Sequence, residues 1–178
     1  MNEKVEKILN GLKGKRVGVF CDGANIFHGR QKYGWQIDVK KFKEFLRNYC
    51  NLRFINYYLA TPIKSDISYY SSQKFLGKIK DFITIKSKEL KYIPIGGKVI
   101  KKGNMDIEIV LDVVRSIDNL DTIIVVSGDS DFVELKNYVI KEKGKNIIFI
   151  AYQGNMGWEI RQCWHICLEE IKSFIELK

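Results

Sequence analysis

The sequence predicts an α/β fold with a mainly parallel central sheet that is covered by helices on both faces. Three apolar segments without strict alternation, RVGVFC at 16–21, TIIVVS at 122–127 and NIIFIA at 146–151, have the character of buried parallel strands. Helical patterns separate these segments, which favours crossover connections. The 178 residues suit one domain, and a hydrophobic content of 46% is enough for a substantial core.

Helix and strand patterns alternate along the first half of the chain. Residues 3–13 predict a short helix, because four apolar residues between Val5 and Leu12 fall on one stripe. DGANIF follows the first strand, and Gly23 permits a tight turn into a helix. Asp38 is expected to cap a further helix. Two more elements are expected in this half, a strand FINYYLA at 54–60 and a helix near 66–82.

The second half begins with a less regular segment. Residues 83–101 predict short strands or a hairpin, because apolar and charged residues alternate around a proline and two glycines. Asn104 is expected to cap a helix over 105–117. A further helix is expected over 131–143, and the last 20 residues are expected to be helical with one break.

The four cysteines do not suggest a disulfide framework, because they are spread out and no CxxC occurs. Cys163, His165 and Cys167 are close in sequence, but in a helix His165 would lie about 200° around the axis from Cys163. Ordinary packing is therefore favoured over a zinc site.

No apolar run approaches the ~20 residues of a membrane span, and the N-terminus lacks the apolar stretch of a signal peptide. We therefore expect a cytoplasmic protein without a membrane partner.

Acidic residues follow two of the predicted strands directly. Asp22 comes after RVGVFC, and Asp129 and Asp131 come after TIIVVS. Ligands of open α/β sheets bind beyond the carboxyl ends of the strands, so we expect these carboxylates to lie at the same edge. Each acid also has a structural interpretation, Asp22 in an Asx turn and Asp131 with Glu134 in a capping box.

The helix predicted over 105–117 adds a third acid to this edge. Asp106 lies in its first turn beside the predicted buried stripe, so we expect it to face inward, where the helix N-terminus favours an anion. Glu108 and Asp112 are expected on the far side, and Asp112 is also ~9 Å further along the axis. Asp112 is therefore a secondary candidate, and Glu108 is expected to be solvated. The predicted stripe consists of Ile107, Val110, Leu111, Val114 and Ile117.

Carboxylates that cluster repel each other, and a hard divalent cation such as Mg²⁺ relieves this repulsion. Such an ion can activate water and stabilise charge on a phosphodiester. The formal net charge of +9 favours a polyanionic partner, most simply nucleic acid. Lysine and arginine would then bind the phosphates while the acids bind the metal.

Three stretches in this order resemble the NYN domain family of the PIN-like nuclease superfamily: VFCDGANIF at 19–27, KKGNMDIEIVLD at 101–112 and VVSGDSDFVEL at 125–135. The resemblance covers roughly residues 16–175. It implies a PIN-like, Rossmann-like three-layer sandwich and a metal-dependent ribonuclease site. We expect an N-terminal helix within 1–15 and a single domain over 16–178.

The motifs of the family also imply roles for individual residues. Asn25 would bind Asp22 or a phosphate, and closing the turn after Gly23 is an equally weighted alternative. The chain departs from the family at Gly157 and Trp158, where a small or hydroxyl residue usually precedes the last helix. The implied metal ligands are Asp22, Asp106 and Asp129. The implied further catalytic residues are Asp131 and Asn25. Asp112 matches an acid that is less constant in the family.

The leading hypothesis is an endoribonuclease that depends on Mg²⁺ or Mn²⁺, with RNA as its partner. A non-catalytic RNA-binding module that retains the fold is the alternative, and a homo-oligomer is left open. A phosphatase with Asp22 as nucleophile is disfavoured, because Ala24 stands where such enzymes need a second acid. Phosphate-binding candidates, which also fit a solvated surface, are Arg30, Lys32, Lys101 and Lys102.

Overall fold

The computed structural model describes all 178 residues, and its centre is a six-stranded parallel sheet. A separate antiparallel hairpin completes the strands. The strands of the sheet are β1 (Arg16–Asp22), β2 (Asn51–Thr61), β3 (Thr84–Glu89), β6 (Thr122–Val126), β7 (Asn146–Ala151) and β8 (His165–Cys167), and those of the hairpin are β4 (Lys91–Ile95) and β5 (Lys98–Lys102).

The order of strands in the sheet is β3-β2-β1-β6-β7-β8. The chain winds outward from β1 in one direction and then from β6 in the other, so the two strands flank a topological switch point. In doubly wound folds the ligand site lies at the carboxyl ends of such a pair. The predicted three-layer α/β fold with a parallel central sheet is confirmed.

Eight helices connect and cover the strands. Asp38 caps one of them as predicted, because its side chain accepts hydrogen bonds from the backbone N–H groups of Lys40 and Lys41. None of the helices combines the length and the apolar character that crossing a membrane requires. They are α1 (Glu3–Asn10), α2 (Gly23–Tyr33), α3 (Val39–Arg47), α4 (Tyr69–Ile79), α5 (Asp106–Ser116), α6 (Val133–Asn137), α7 (Trp158–Arg161) and α8 (Lys172–Ile175).

Two hydrophobic clusters lie on opposite faces of the sheet. One includes residues of α1, α3 and α8, and the other includes residues of α5 and α6. Successive strand residues point to opposite faces, so Tyr57 joins the first cluster and Tyr58 the second. The strands are therefore buried on both sides, which explains why their sequences are continuously apolar.

The buried stripe predicted for α5 is wrong for three of its five residues, whereas Ile117 is buried and Val110 half-buried, as predicted. Ile107, Leu111 and Val114 are 74%, 44% and 40% exposed, whereas Ile109 and Val113 are fully buried against the sheet. The helix has apolar residues on two faces, and its own periodicity does not decide between them. The sheet contact selects the face that contains Ile109. As a result Asp112, expected on the far side, lies next to buried Tyr58 and accepts a hydrogen bond from its hydroxyl at 2.8 Å.

The expectation of helix with one break over the last 20 residues is right only in part, because the break is a strand. The segment forms two short helices, α7 and α8, on either side of the edge strand β8. β8 pairs with β7 in parallel and so covers a strand edge that would otherwise leave backbone groups unpaired. Three residues are too few to show a strand period in the sequence. Cys163, His165 and Cys167 are not among the side chains that converge closely enough to share an ion.

Candidate metal centre at the switch point

Asp22 ends β1 and caps α2 at the same time. One carboxylate oxygen, Oδ1, accepts hydrogen bonds from the backbone N–H groups of Ala24 at 3.0 Å and Asn25 at 3.2 Å. The other, Oδ2, accepts from the Ser127 hydroxyl at 2.9 Å. The residue is only 6% exposed. Burial raises the pKa of Asp22, these hydrogen bonds oppose the rise, and the charge of Asp129 adds to it.

Ser127 also belongs to the site, although it is not among the residues predicted from the sequence. It is fully buried, donates to Asp22, and accepts from the backbone N–H of Asp129 at 3.2 Å. Its hydroxyl therefore ties the end of β1 to the end of β6. The signal in the sequence was a hydroxyl residue placed between an apolar strand and the two acids that follow.

Asn25 makes a second bridge between the same two strand ends. Its side-chain oxygen accepts a hydrogen bond from the backbone N–H of Gly128 at 3.3 Å, and only its backbone N–H binds Asp22. Gly128 itself is required by close packing, because a Cβ there would lie 2.3 Å from the carbonyl oxygen of Asn155. The loop after β6 is therefore held by contacts on both sides.

The capping role after β6 belongs to Asp129. Its side chain accepts from the backbone N–H of Asp131 at 3.0 Å and caps a short 3₁₀ turn over Ser130–Phe132. The capping box expected from Asp131 and Glu134 is not formed, and Glu134 accepts a hydrogen bond from Asn137 instead. The carboxylate of Asp131 is exposed and accepts no hydrogen bond from the protein.

Asp106 brings the third segment of chain into the site. Its backbone N–H donates to the side-chain oxygen of Asn104 at 2.7 Å, and the Asn104 amide donates to the Asp106 carboxylate. Carboxylate oxygens of Asp106, Asp129 and Asp131 lie within 4.8 Å of one another. Burial raises the pKa of Asp106, the hydrogen bond from Asn104 lowers it, and the charges of Asp22, Asp129 and Asp131 raise it.

The donor set suits a hard divalent cation. All the groups that converge are carboxylates, and Mg²⁺ and Mn²⁺ prefer oxygen ligands. Three of these carboxylates already lie close enough to share one ion, and Asp22 acts on two of them electrostatically. Their mutual repulsion is a cost that a bound cation would remove.

Asp112 does not belong to this group of carboxylates. Besides the hydrogen bond from Tyr58, it forms ion pairs with Arg115 at 3.4 Å and Lys86 at 3.9 Å. Its side chain therefore interacts with neighbours along β2, β3 and its own helix. Glu108, expected to be solvated, is half-buried and forms an ion pair with Lys88 at 2.6 Å.

The four cationic candidates differ in their surroundings. Lys101 forms an ion pair with Asp66 at 2.6 Å, and Lys32 donates to the carbonyl oxygen of Gly154 at 3.2 Å. Arg30 on α2 and Lys102 on β5 are exposed and form no ion pair within the protein. These last two cations are therefore the freer of the four to contact a phosphate.

The segment that departs from the family pattern contacts the loop after β6. Gly157 donates its N–H to the carbonyl oxygen of Gly128 at 2.8 Å, and a Cβ on Gly157 would lie 2.1 Å from the Ser130 hydroxyl. Ser130 in turn donates to Glu159 at 2.6 Å. This close approach of backbone to side chain explains why glycine stands there.

The family model of the NYN domain matches residues 16–167. The chain belongs to the NYN domain family. The resemblance seen in the three motifs is thereby confirmed, and with it a PIN-like nuclease fold. This NYN domain is 30% identical over 166 residues to the low amplitude and bright protein LabA of Synechococcus elongatus, with 90% of this chain and 88% of the relative covered.

A solved structure supports the same fold. The crystal structure of a protein of unknown function from Vibrio parahaemolyticus superposes with a TM-score of 0.72 at 18% sequence identity. The superposition covers 91% of this NYN domain and 96% of that chain. At this identity the similarity extends to the fold alone.

Proposed function

We propose that this NYN domain is an endoribonuclease that depends on Mg²⁺ or Mn²⁺ and hydrolyses phosphodiester bonds of RNA. The observation that carries the proposal is the convergence of three carboxylates, within 4.8 Å of one another, at the switch point of the sheet. Such a cluster opposes folding unless a cation or a proton joins it. Membership of a family with a nuclease fold makes a phosphodiester the expected substrate.

The residues of the site would divide the work between them. Asp106 and Asp129, which belong to the convergent group, would hold the cation directly, and Asp22, which lies outside that group, would bind it through water. When bound, the cation would activate water and stabilise charge on the phosphate. Asp22 is preoriented by Ser127 and by the N-terminus of α2. Asp131 has a carboxylate free of hydrogen bonds to the protein, so it would accept one from the attacking water or contact a second ion.

The hairpin of β4 and β5 would supply cations to an RNA strand near the start of α5. Lys91 pairs directly with Lys102 across the two strands, an arrangement of like charges that is unfavourable in the free protein. A phosphate backbone would relieve it. Because β5 leads into α5 through only three residues, an RNA strand on the hairpin would approach Asp106.

The phosphatase alternative loses support from the surroundings of Asp22. Both oxygens of this carboxylate already accept hydrogen bonds, and the residue is almost fully buried. A nucleophile must reach phosphorus with a free oxygen. The geometry therefore favours a structural role for Asp22, with metal binding through water, over covalent attack.

The test is cleavage of fluorescent single-stranded and structured RNAs with Mn²⁺, with Mg²⁺ and with EDTA. Asp129→Asn should lower the rate by about 10²-fold or more, because it removes one carboxylate from the centre. Asp118→Asn is the control, since Asp118 is 80% exposed beyond the end of α5 and pairs only with Lys143. Cleavage that survives both EDTA and Asp129→Asn would refute the metal mechanism. RNA binding that is sensitive to salt, without Mn²⁺ binding, would instead favour a non-catalytic module.

A further inference from the structure

A cavity of about 550 Å³ lies next to Asp22, under α2 and α4. Its floor is formed by Cys21 of β1, Tyr57 of β2 and Val126 of β6, and its nearest wall is the turn Gly23–Ala24 that directly follows Asp22. The volume falls within the range of pockets that hold small ligands, ~300–1,000 Å³.

The two helices above the cavity leave this space unfilled. Only Gly23 and Gly29 of α2 are buried, and only Ile79 of α4. The space opens to solvent beside the exposed residues Phe27 and Arg30, so a ligand could enter it. Two helices that cover a sheet without filling the space beneath them therefore indicate a ligand site.

The lining is mainly apolar, and it includes aromatic rings and a few polar groups that have no protein partner. Tyr57 is 5% exposed, and its hydroxyl, which makes no hydrogen bond within the protein, is not fully buried and is open to the cavity. Burial raises the pKa of Tyr57, Cys21 and Asp22 raise it further, and Arg30 lowers it. Ser72 and Gln36 line the same space, and their side chains also make no hydrogen bond within the protein.

We propose that the cavity binds the base of a nucleotide and that Arg30 binds its phosphate. Phe75, which is half-buried and packs on Tyr57 with ring centroids 5.9 Å apart, offers an aromatic surface for stacking. The hydroxyls of Tyr57 and Ser72 and the amide of Gln36 would meet the polar edges of the base. A hydrocarbon chain would leave these groups unpaired, at a cost in free energy. The guanidinium of Arg30 is exposed, free of ion pairs and suited to phosphate.

The nucleotide would be either part of the RNA strand or a free nucleoside monophosphate. In the first case the inference rests on the proposed nuclease function, because the strand would pass from the acidic centre over the turn Gly23–Ala24. The base next to the cleaved phosphate would then enter the cavity. The chemistry of recognition is the same in both cases.

Binding is tested by equilibrium dialysis of AMP, GMP, CMP and UMP against the full chain in EDTA, so that no cleavage is needed. Ser72→Trp fills the cavity and should weaken binding at least tenfold. Gln73→Trp, on the next and exposed position of α4 outside the cavity lining, should leave it unchanged within twofold. Thermal unfolding of each variant checks that it is folded.

Two smaller changes test the polar contacts without filling the space. Tyr57→Phe removes only the hydroxyl and should weaken binding about three- to tenfold. Arg30→Gln should weaken it about tenfold or more. Arg53→Gln is the matched control, because it removes the same charge from an exposed position near the start of β2, outside the cavity.

RNA cleavage by the same variants separates the two sources of the nucleotide. If the base belongs to the strand, Ser72→Trp raises KM for RNA, and free mononucleotides compete with the substrate. If the ligand is free, Ser72→Trp abolishes mononucleotide binding and leaves the KM for RNA unchanged.

Three results would overturn the cavity proposal: no mononucleotide bound by the wild type, equal binding by Ser72→Trp, or binding of decanoate in place of nucleotides. Cleavage of RNA by a wild type that binds no mononucleotide would overturn it while leaving the nuclease proposal intact. If Ser72→Trp abolishes mononucleotide binding in a protein that cleaves no RNA, the cavity proposal stands and the nuclease proposal is overturned.

Discussion

Asp106→Asn should stabilise the metal-free protein at neutral pH and reduce its stabilisation by Mn²⁺. The pKa of Asp106 is raised by burial and by the charges of Asp22, Asp129 and Asp131. A carboxyl group with a raised pKa favours the folded state at low pH and loses that contribution as the pH rises through the raised value. At pH 7 the ionised Asp106 therefore opposes folding, and a neutral asparagine does not.

The size of the effect follows from the spacing of the carboxylates. Unit charges 4.8 Å apart or less repel by about 1 kcal/mol in water and by about 3–4 kcal/mol at the effective dielectric constant near a protein surface. Asp131 is exposed, so screening by solvent favours the lower figure. With two such neighbours we expect a gain of about 1–2 kcal/mol, or about 2–8 °C in Tm.

The assay is urea unfolding in EDTA between pH 4 and pH 8, at low and high salt. The advantage of Asp106→Asn should shrink toward pH 4 and in high salt, because both conditions weaken the repulsion. Mn²⁺ should stabilise the wild type more than the variant. Asp118→Asn, outside the cluster, should stay within about 0.5 kcal/mol of the wild type. A variant less stable than the wild type in EDTA at pH 7, with no dependence on salt, would refute the reasoning.

Three further predictions concern other parts of the chain. Gly128→Ala should destabilise the protein by about 1–3 kcal/mol or more, because its Cβ would meet the backbone of Asn155. Gly77→Ala is the contrast: this position lies in open space on α4, so the substitution should stabilise the protein by about 0.5–1 kcal/mol in the same urea titration. Asp66→Asn should destabilise the protein at pH 7, because Lys101 holds the pKa of Asp66 below its ordinary value. The loss of unfolding free energy should diminish when unfolding is measured below about pH 4. A stability difference between variant and wild type that does not vary with pH would contradict this. Lys102→Gln should lower the slope of log K for RNA against log salt by about 0.7, and an unchanged slope would exclude a phosphate contact there.

The parts of the fold that were predictable from sequence are those decided by local composition. β1, β6 and β7 are continuously apolar, and few other structures bury such segments on both faces. The cap at Asp38 depends only on the residues next to it. The place of Asp22 and Asp129 at one edge followed from the rule that parallel strands end at the same side.

The parts that were not predictable depend on contacts between distant segments. α5 carries apolar residues on two faces, and only the packing against β1 selects Ile109 over Ile107. β8 exists because the edge of β7 needs a partner, a requirement that is absent from its own three residues.

The sequence by itself determined the family, the parallel sheet and the acids that are proposed to bind the metal, because each is encoded in a short contiguous motif. Tertiary structure alone decided that Ser127 and Asn25 bridge two strands, that Asp112 binds Tyr58, and that a cavity remains under α2 and α4. Those features depend on distances between residues far apart in the chain, and no local pattern specifies them.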